Sequence, residues 1–69
     1  MPVITVQMRT GRTKNAKKKL LRQVTDAAAD ALEIDAGRIR VLIHEVDDAH
    51  FSVGGVSYED QDKGNNHGS

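Results

Sequence analysis

Sixty-nine residues without a cysteine make one small domain and exclude both a disulfide framework and a thiolate metal site. A chain this short buries only about 60% of its unfolded surface, so with those two staples gone, self-association is the one that remains. Ten basic and ten acidic side chains cancel, which gives no overall pull toward nucleic acid or an anionic membrane, and no apolar run reaches a membrane span or a signal-peptide core.

Residues 3–9 alternate, with Ile4, Val6 and Met8 on one side and Thr5, Gln7 and Arg9 on the other. This period of two predicts a strand, closed by Thr10 and Gly11. Thr13 is a suitable N-cap, and residues 13–33 then run without a breaker. Within them Ala16, Leu20, Val24, Ala27, Ala28, Ala31 and Leu32 recur at helical spacing, which predicts an amphipathic helix of about five turns. Asp35, Ala36 and Gly37 interrupt the pattern. Residues 38–46, rich in β-branched side chains, read as a second strand. Strand, long crossover helix and strand make a βαβ unit with parallel strands, so the expected fold class is α/β.

The second strand carries the argument for assembly. Ile39, Val41 and Ile43 can face the helix, but Leu42 and Val46 then point away from it, beside Arg40 and His44. A parallel pair is covered on both faces. One helix covers one face, so another copy of the chain is expected on the other. Val53, Gly54, Gly55 and Val56 then suggest a small C-terminal β-hairpin, its glycines supplying positive φ. The expected domain spans residues 2–58, and residues 59–69, which lack apolar anchors, are expected as a flexible tail. A soluble, cytoplasmic, oligomeric protein follows.

Pro2 is the most informative residue for chemistry. A small second residue permits aminopeptidases to remove Met1, and removal leaves a free secondary amine held stiffly by its own ring. Such an amine can take up and return a proton if its surroundings keep it uncharged near neutral pH.

The chain resembles the 4-oxalocrotonate tautomerase family in four short motifs at that family's spacing. These are Pro2 opening a strand, GRT at residues 11–13, RVLIHE from Arg40, and HFSVGG at residues 50–55. The resemblance covers residues 2–56. It implies a cofactor-independent isomerase that moves a proton in a 1,3-shift on a small unsaturated dicarboxylate such as 2-hydroxymuconate, in aromatic hydrocarbon degradation. It also implies a homohexamer built as a trimer of dimers. By position, the amino-terminal base falls on Pro2, the substrate arginines on Arg12 and Arg40, and the pocket aromatic on Phe51.

Chemistry supports these roles. Arginine forks suit carboxylates and a developing enolate oxygen. Two guanidinium charges about 6 Å from the amine would each disfavour its protonated form by roughly 2–3 kcal/mol at an effective dielectric near 20. Burial against Phe51 acts in the same direction. Pro2 and Arg12, at opposite ends of the first strand, are about 30 Å apart within one subunit. If both act on one substrate, Arg12 comes from a neighbouring chain.

Other readings stay open. Arg9 is a further candidate for substrate contact, because MRTGRT at residues 8–13 resembles the two-arginine pattern of 3-chloroacrylate dehalogenase subunits. Those enzymes hydrate their substrate and need a carboxylate to activate water, and this chain has Val53 where it would stand. Dehalogenation or hydration is therefore an alternative to tautomerisation. One subunit type of a hetero-oligomer is another, and a non-catalytic oligomeric binding module a third. Arg9 otherwise reads, like Arg38, as a surface or interface charge, and His44 and His50 read as structural or exposed. Asp47 and Asp48 near His50 offer no recognised metal-ligand spacing. Lys14, Lys18 and Arg22 share a helix face but lack interleaved aromatics, so they read as solvated charge. No cofactor, metal, nucleic acid or membrane partner is expected.

Overall fold

The computed structural model describes residues 1–65, with side chains as far as Gln61. Strand β1 covers Val3–Arg9 and helix α1 Lys14–Leu32, followed by a 3-10 turn at Ala36–Arg38. Strand β2 covers Arg40–Val46, and a second 3-10 turn lies at Asp48–His50. Two short strands, β3 (Ser52–Val53) and β4 (Val56–Ser57), precede helix α2 at Tyr58–Asn65.

The βαβ unit is present as expected. Strands β1 and β2 pair in parallel, from Val3 opposite Arg40 to Arg9 opposite Val46. Helix α1 starts where its cap chemistry dictates: the Thr13 hydroxyl accepts from the Ala16 amide at 3.0 Å. It ends at Glu33, which adopts the left-handed conformation at φ 56° while the Ile34 amide donates to the Ala29 carbonyl at 3.1 Å. β2 begins later than residue 38 because Ala36–Arg38 closes into a 3-10 turn, with Arg38 and Ile39 amides donating to Asp35 and Ala36 carbonyls.

The alternation sorts the sheet into two unlike faces. Ile4, Val6 and Met8 from β1 and Val41 and Ile43 from β2 are half-buried on the helix side. Ile39, just ahead of β2, is the sole fully buried hydrophobic residue among those described, at 7% exposed. Lys17 Nζ reaches Glu45 Oε2 at 2.9 Å and ties the helix to β2. On the other face Val3 is 58% and Leu42 43% exposed, beside Thr5, Gln7, Arg40 and His44. Unlike the opposite face, this one has no helix over it.

The β3–β4 hairpin forms, pairing Ser52 with Ser57 and Val53 with Val56. Gly54 and Gly55 sit at φ 63° and 85°, the two consecutive positive values that a tight hairpin turn requires. The tail expected from residue 59 differs: Glu59 to Asn65 continue a helix. Beyond Tyr58, which stacks on Phe51, its anchors are polar. The Asp60 amide donates to Ser57 Oγ at 3.2 Å, and the Gln61 amide group donates to the Val56 carbonyl at 2.8 Å. Glu59 and Asp60 also lie in the first turn, where negative charge suits the helix dipole. The last part of the expected tail, residues 66–69, lies outside the described residues.

Candidate active site

Parallel pairing places the start of β1 beside the start of β2. The Pro2 carbonyl accepts from the Arg40 amide at 3.1 Å, which fixes the proline at the sheet end while leaving its nitrogen toward the chain terminus. Met1 is 79% exposed and acylates that nitrogen. Around them opens a cleft of about 310 Å³ lined by Met1, Pro2, Leu32, Ile34 and Arg38. Its walls are apolar on the helix side, with one cation.

Arg38 was read from the sequence as a surface or interface charge, and the cleft gives it a second identity. The signal was available: in a parallel βαβ unit, residues just ahead of β2 must arrive beside those just ahead of β1. Arg40 stands opposite Val3 on the face away from the helix. Its side chain is exposed, and its Nη1 makes one long contact, 3.4 Å, to the Gly37 carbonyl.

The second group of expected site residues gathers at the opposite end of the sheet. Met8, Arg9, Thr10, Gly11 and Arg12 line an open cleft of about 330 Å³. Arg12 is exposed and makes no ion pair with a described residue. Arg9 does. Its Nε and Nη2 donate to the two carboxylate oxygens of Asp48 at 2.7 and 2.9 Å, and its guanidinium carbon lies 4.6 Å from the centre of the Tyr58 ring. These hydrogen bonds from Arg9 hold the Asp48 carboxyl below the usual aspartate range. Phe51 is half-buried against Tyr58, ring centres 4.7 Å apart and tilted by 30°, and the Phe51 carbonyl accepts from the Tyr58 amide at 2.7 Å.

The candidate residues therefore fall into two half-sites in one chain: Pro2, Arg38 and Arg40 at one end of β1, and Arg12, Arg9 and Phe51 at the other. The sequence missed Asp48 and Tyr58 as members of the second group. No cluster of three or more His, Cys, Asp or Glu residues suited to a metal ion occurs among the described residues. A larger open hollow of about 460 Å³ is lined by Lys18, Leu21, Arg22, Thr25, Ala36 and Gly37, none of them a residue that the sequence pointed to for proton transfer. Its Arg22 is chelated by Asp26.

The family described as tautomerase enzyme matches residues 2–61 of the chain. A 2-hydroxymuconate tautomerase from Pseudomonas sp. (strain CF600) is 42% identical over 55 residues, covering 80% of this chain and 87% of that protein. Among solved structures, a 4-oxalocrotonate tautomerase isozyme from Methylibium petroleiphilum superposes with a TM-score of 0.88 at 28% identity, covering 91% of this chain and 98% of that one. A heterohexamer 4-oxalocrotonate tautomerase from Chloroflexus aurantiacus J-10-fl gives 0.81 at 34% identity, covering 86% and 95%. With the parallel βαβ unit, the proline at its head and the match over residues 2–61, the chain belongs to the tautomerase family and is an isomerase of the 4-oxalocrotonate tautomerase type.

Proposed function

We propose that this chain, once Met1 is removed, catalyses a 1,3-proton shift on a small unsaturated 2-hydroxy or 2-oxo dicarboxylate such as 2-hydroxymuconate. Pro2 is the general base. Its nitrogen takes a proton from one end of the enol–enone system and returns it to the other, so the amine is regenerated and no cofactor is consumed. Arg40 and Arg12 hold the carboxylates and the oxygen on which enolate charge develops. Phe51 supplies an apolar wall that disfavours the charged amine.

The observation that carries this reading is the division into half-sites. An amine with its arginine at one sheet end, and an arginine with an aromatic at the other, meet around one substrate when chains pack so that opposite ends of β1 adjoin. The exposed apolar face at Val3 and Leu42 is the surface on which such packing is expected. A hexamer with the trimer-of-dimers arrangement satisfies both needs, and a hetero-oligomer of two related chains satisfies them equally.

Electrostatics support a neutral Pro2. The carboxyl end of α1 lies near the Pro2 cleft through Leu32, and its partial negative charge favours protonation by about 0.3–1 kcal/mol. Each guanidinium brought within about 6 Å in the assembled site would oppose that by roughly 2–3 kcal/mol. The cations dominate. Arginines at both ends of the assembled site suit a small dicarboxylate; a place in aromatic hydrocarbon degradation in the cytoplasm belongs to the same proposal and rests on the likeness to a 2-hydroxymuconate tautomerase.

The test is an ultraviolet assay of the Met1-free protein with 2-hydroxymuconate, alongside 3-chloroacrylate to detect water addition. Pro2→Ala, Arg12→Ala and Arg40→Ala are each expected to lose at least ~100-fold in kcat/KM on 2-hydroxymuconate. Hydration is expected to be poor, because Val53 offers no carboxylate to activate water. Turnover of 3-chloroacrylate exceeding that of 2-hydroxymuconate would reverse the assignment.

A further inference from the structure

Arg9, Asp48, Tyr58 and Phe51 form a chain of contacts that the proton shift does not use directly. Asp48 chelates the Arg9 guanidinium through both of its oxygens. That guanidinium lies over the Tyr58 ring, and Tyr58 stacks on Phe51. The contacts link three separate elements: the end of β1, the turn after β2, and the first residue of α2. The chain of contacts ends on Phe51, the proposed pocket aromatic, and begins at Arg9, which lines the same cleft as Arg12.

We propose that Arg9 is a positioning residue: clamped by Asp48 and stacked on Tyr58, it sets the place of Phe51 beside Arg12 and does not itself hold a substrate carboxylate. Three features argue for this. A bidentate guanidinium–carboxylate pair satisfies the fork geometry that a substrate carboxylate would otherwise use. Half of the Arg9 surface is withdrawn from water, its side chain being 44% exposed and that of Asp48 34%. The flat guanidinium over an aromatic ring is a contact that arginine makes and lysine makes poorly.

The inference rests on the reading of Phe51 as a pocket wall, and its test separates the two. The chain has one phenylalanine and one tyrosine and no tryptophan, so the aromatic proton spectrum of the assembled protein reports this cluster directly, beside its histidines. Asp48→Asn, Arg9→Leu and Arg9→Lys are each expected to shift the Phe51 ring resonances. Each is also expected to lower kcat/KM about ten-fold, equally for the dicarboxylate 2-hydroxymuconate and the monocarboxylate phenylenolpyruvate. The Arg9→Leu/Asp48→Asn double variant is expected to be no worse than either single change, because both act through one contact.

If Arg9 holds substrate instead, Asp48→Asn removes a carboxylate that competes with the substrate for it. That variant would then match or exceed the wild type on 2-hydroxymuconate while Arg9→Leu loses activity on the dicarboxylate alone, and the proposal would be overturned. Unmoved Phe51 resonances in Asp48→Asn and Arg9→Leu would overturn it as well. Failure of the wild type to act on either substrate would refute the proposed reaction, and the spectrum would still decide whether the cluster positions Phe51.

Discussion

Two inactive variants of this chain are expected to restore activity when mixed. The cleft around Pro2 and the cleft around Arg12 flank the seven-residue strand β1 at its two ends. At 3.3 Å per residue, Pro2 and Arg12 of one chain stand about 30 Å apart, several times the length of a six-carbon acid. On the proposed reaction, a working site would therefore take Pro2 from one chain and Arg12 from another. Pro2→Ala and Arg12→Ala each spoil every site in a pure assembly. When the two are unfolded together in equal amounts and reassembled, a site works if its Pro2 comes from an Arg12→Ala chain and its Arg12 from a Pro2→Ala chain. Each condition holds for half of the chains, so about a quarter of the sites recover in a randomly mixed closed oligomer. The assay is 2-hydroxymuconate turnover, with native mass spectrometry confirming that hybrids have formed. Recovery from below ~1% to about 25% of wild-type activity is the expected result. Hybrids that remain at the parental level would refute the shared site.

Two further outcomes follow from the fold and its charges. Ile39→Ala removes the one fully buried hydrophobic side chain among the described residues and is expected to destabilise the protein by about 2–4 kcal/mol, read by denaturant unfolding of the assembly at fixed protein concentration. Asp48 has its carboxyl pKa lowered by Arg9, so its contribution to stability is present above the ordinary aspartate range and is lost as pH falls through the lowered value. The melting temperatures of wild type and Asp48→Asn are accordingly expected to differ at neutral pH and to converge under strongly acidic conditions. A difference that grows on acidification would contradict the ion pair.

Much of the fold was legible because it rests on short-range rules. The alternation of Ile4, Val6 and Met8, the Thr13 cap and the breaker-free stretch behind it set β1 and α1 locally. The conflict between Leu42 and the one-helix fold marked the open sheet face. What escaped had two causes. Helix α2 is anchored by the Ser57 hydroxyl and the Gln61 amide, and polar anchors leave no hydrophobic period to read. The Arg9–Asp48 pair joins residues thirty-nine positions apart, a contact that depends on where β2 ends relative to β1. From the sequence alone Arg9 read as a surface or interface charge or as a further substrate contact; the ion pair supplies it with a partner inside the chain. Arg38 lay between these cases, since parallel register alone brings residues ahead of β2 to the mouth of the Pro2 cleft.

The central claim is that the Pro2 nitrogen, freed of Met1, is an uncharged base in an assembled site. Nitrogen-15 NMR titration of selectively labelled Pro2 in the intact oligomer tests it most directly. The account predicts a pKa well below the usual range of a secondary amine, rising when Arg12 or Arg40 is replaced by alanine, because each guanidinium disfavours the charged form. A Pro2 that remains protonated in mildly alkaline buffer, or a pKa indifferent to both substitutions, would contradict it.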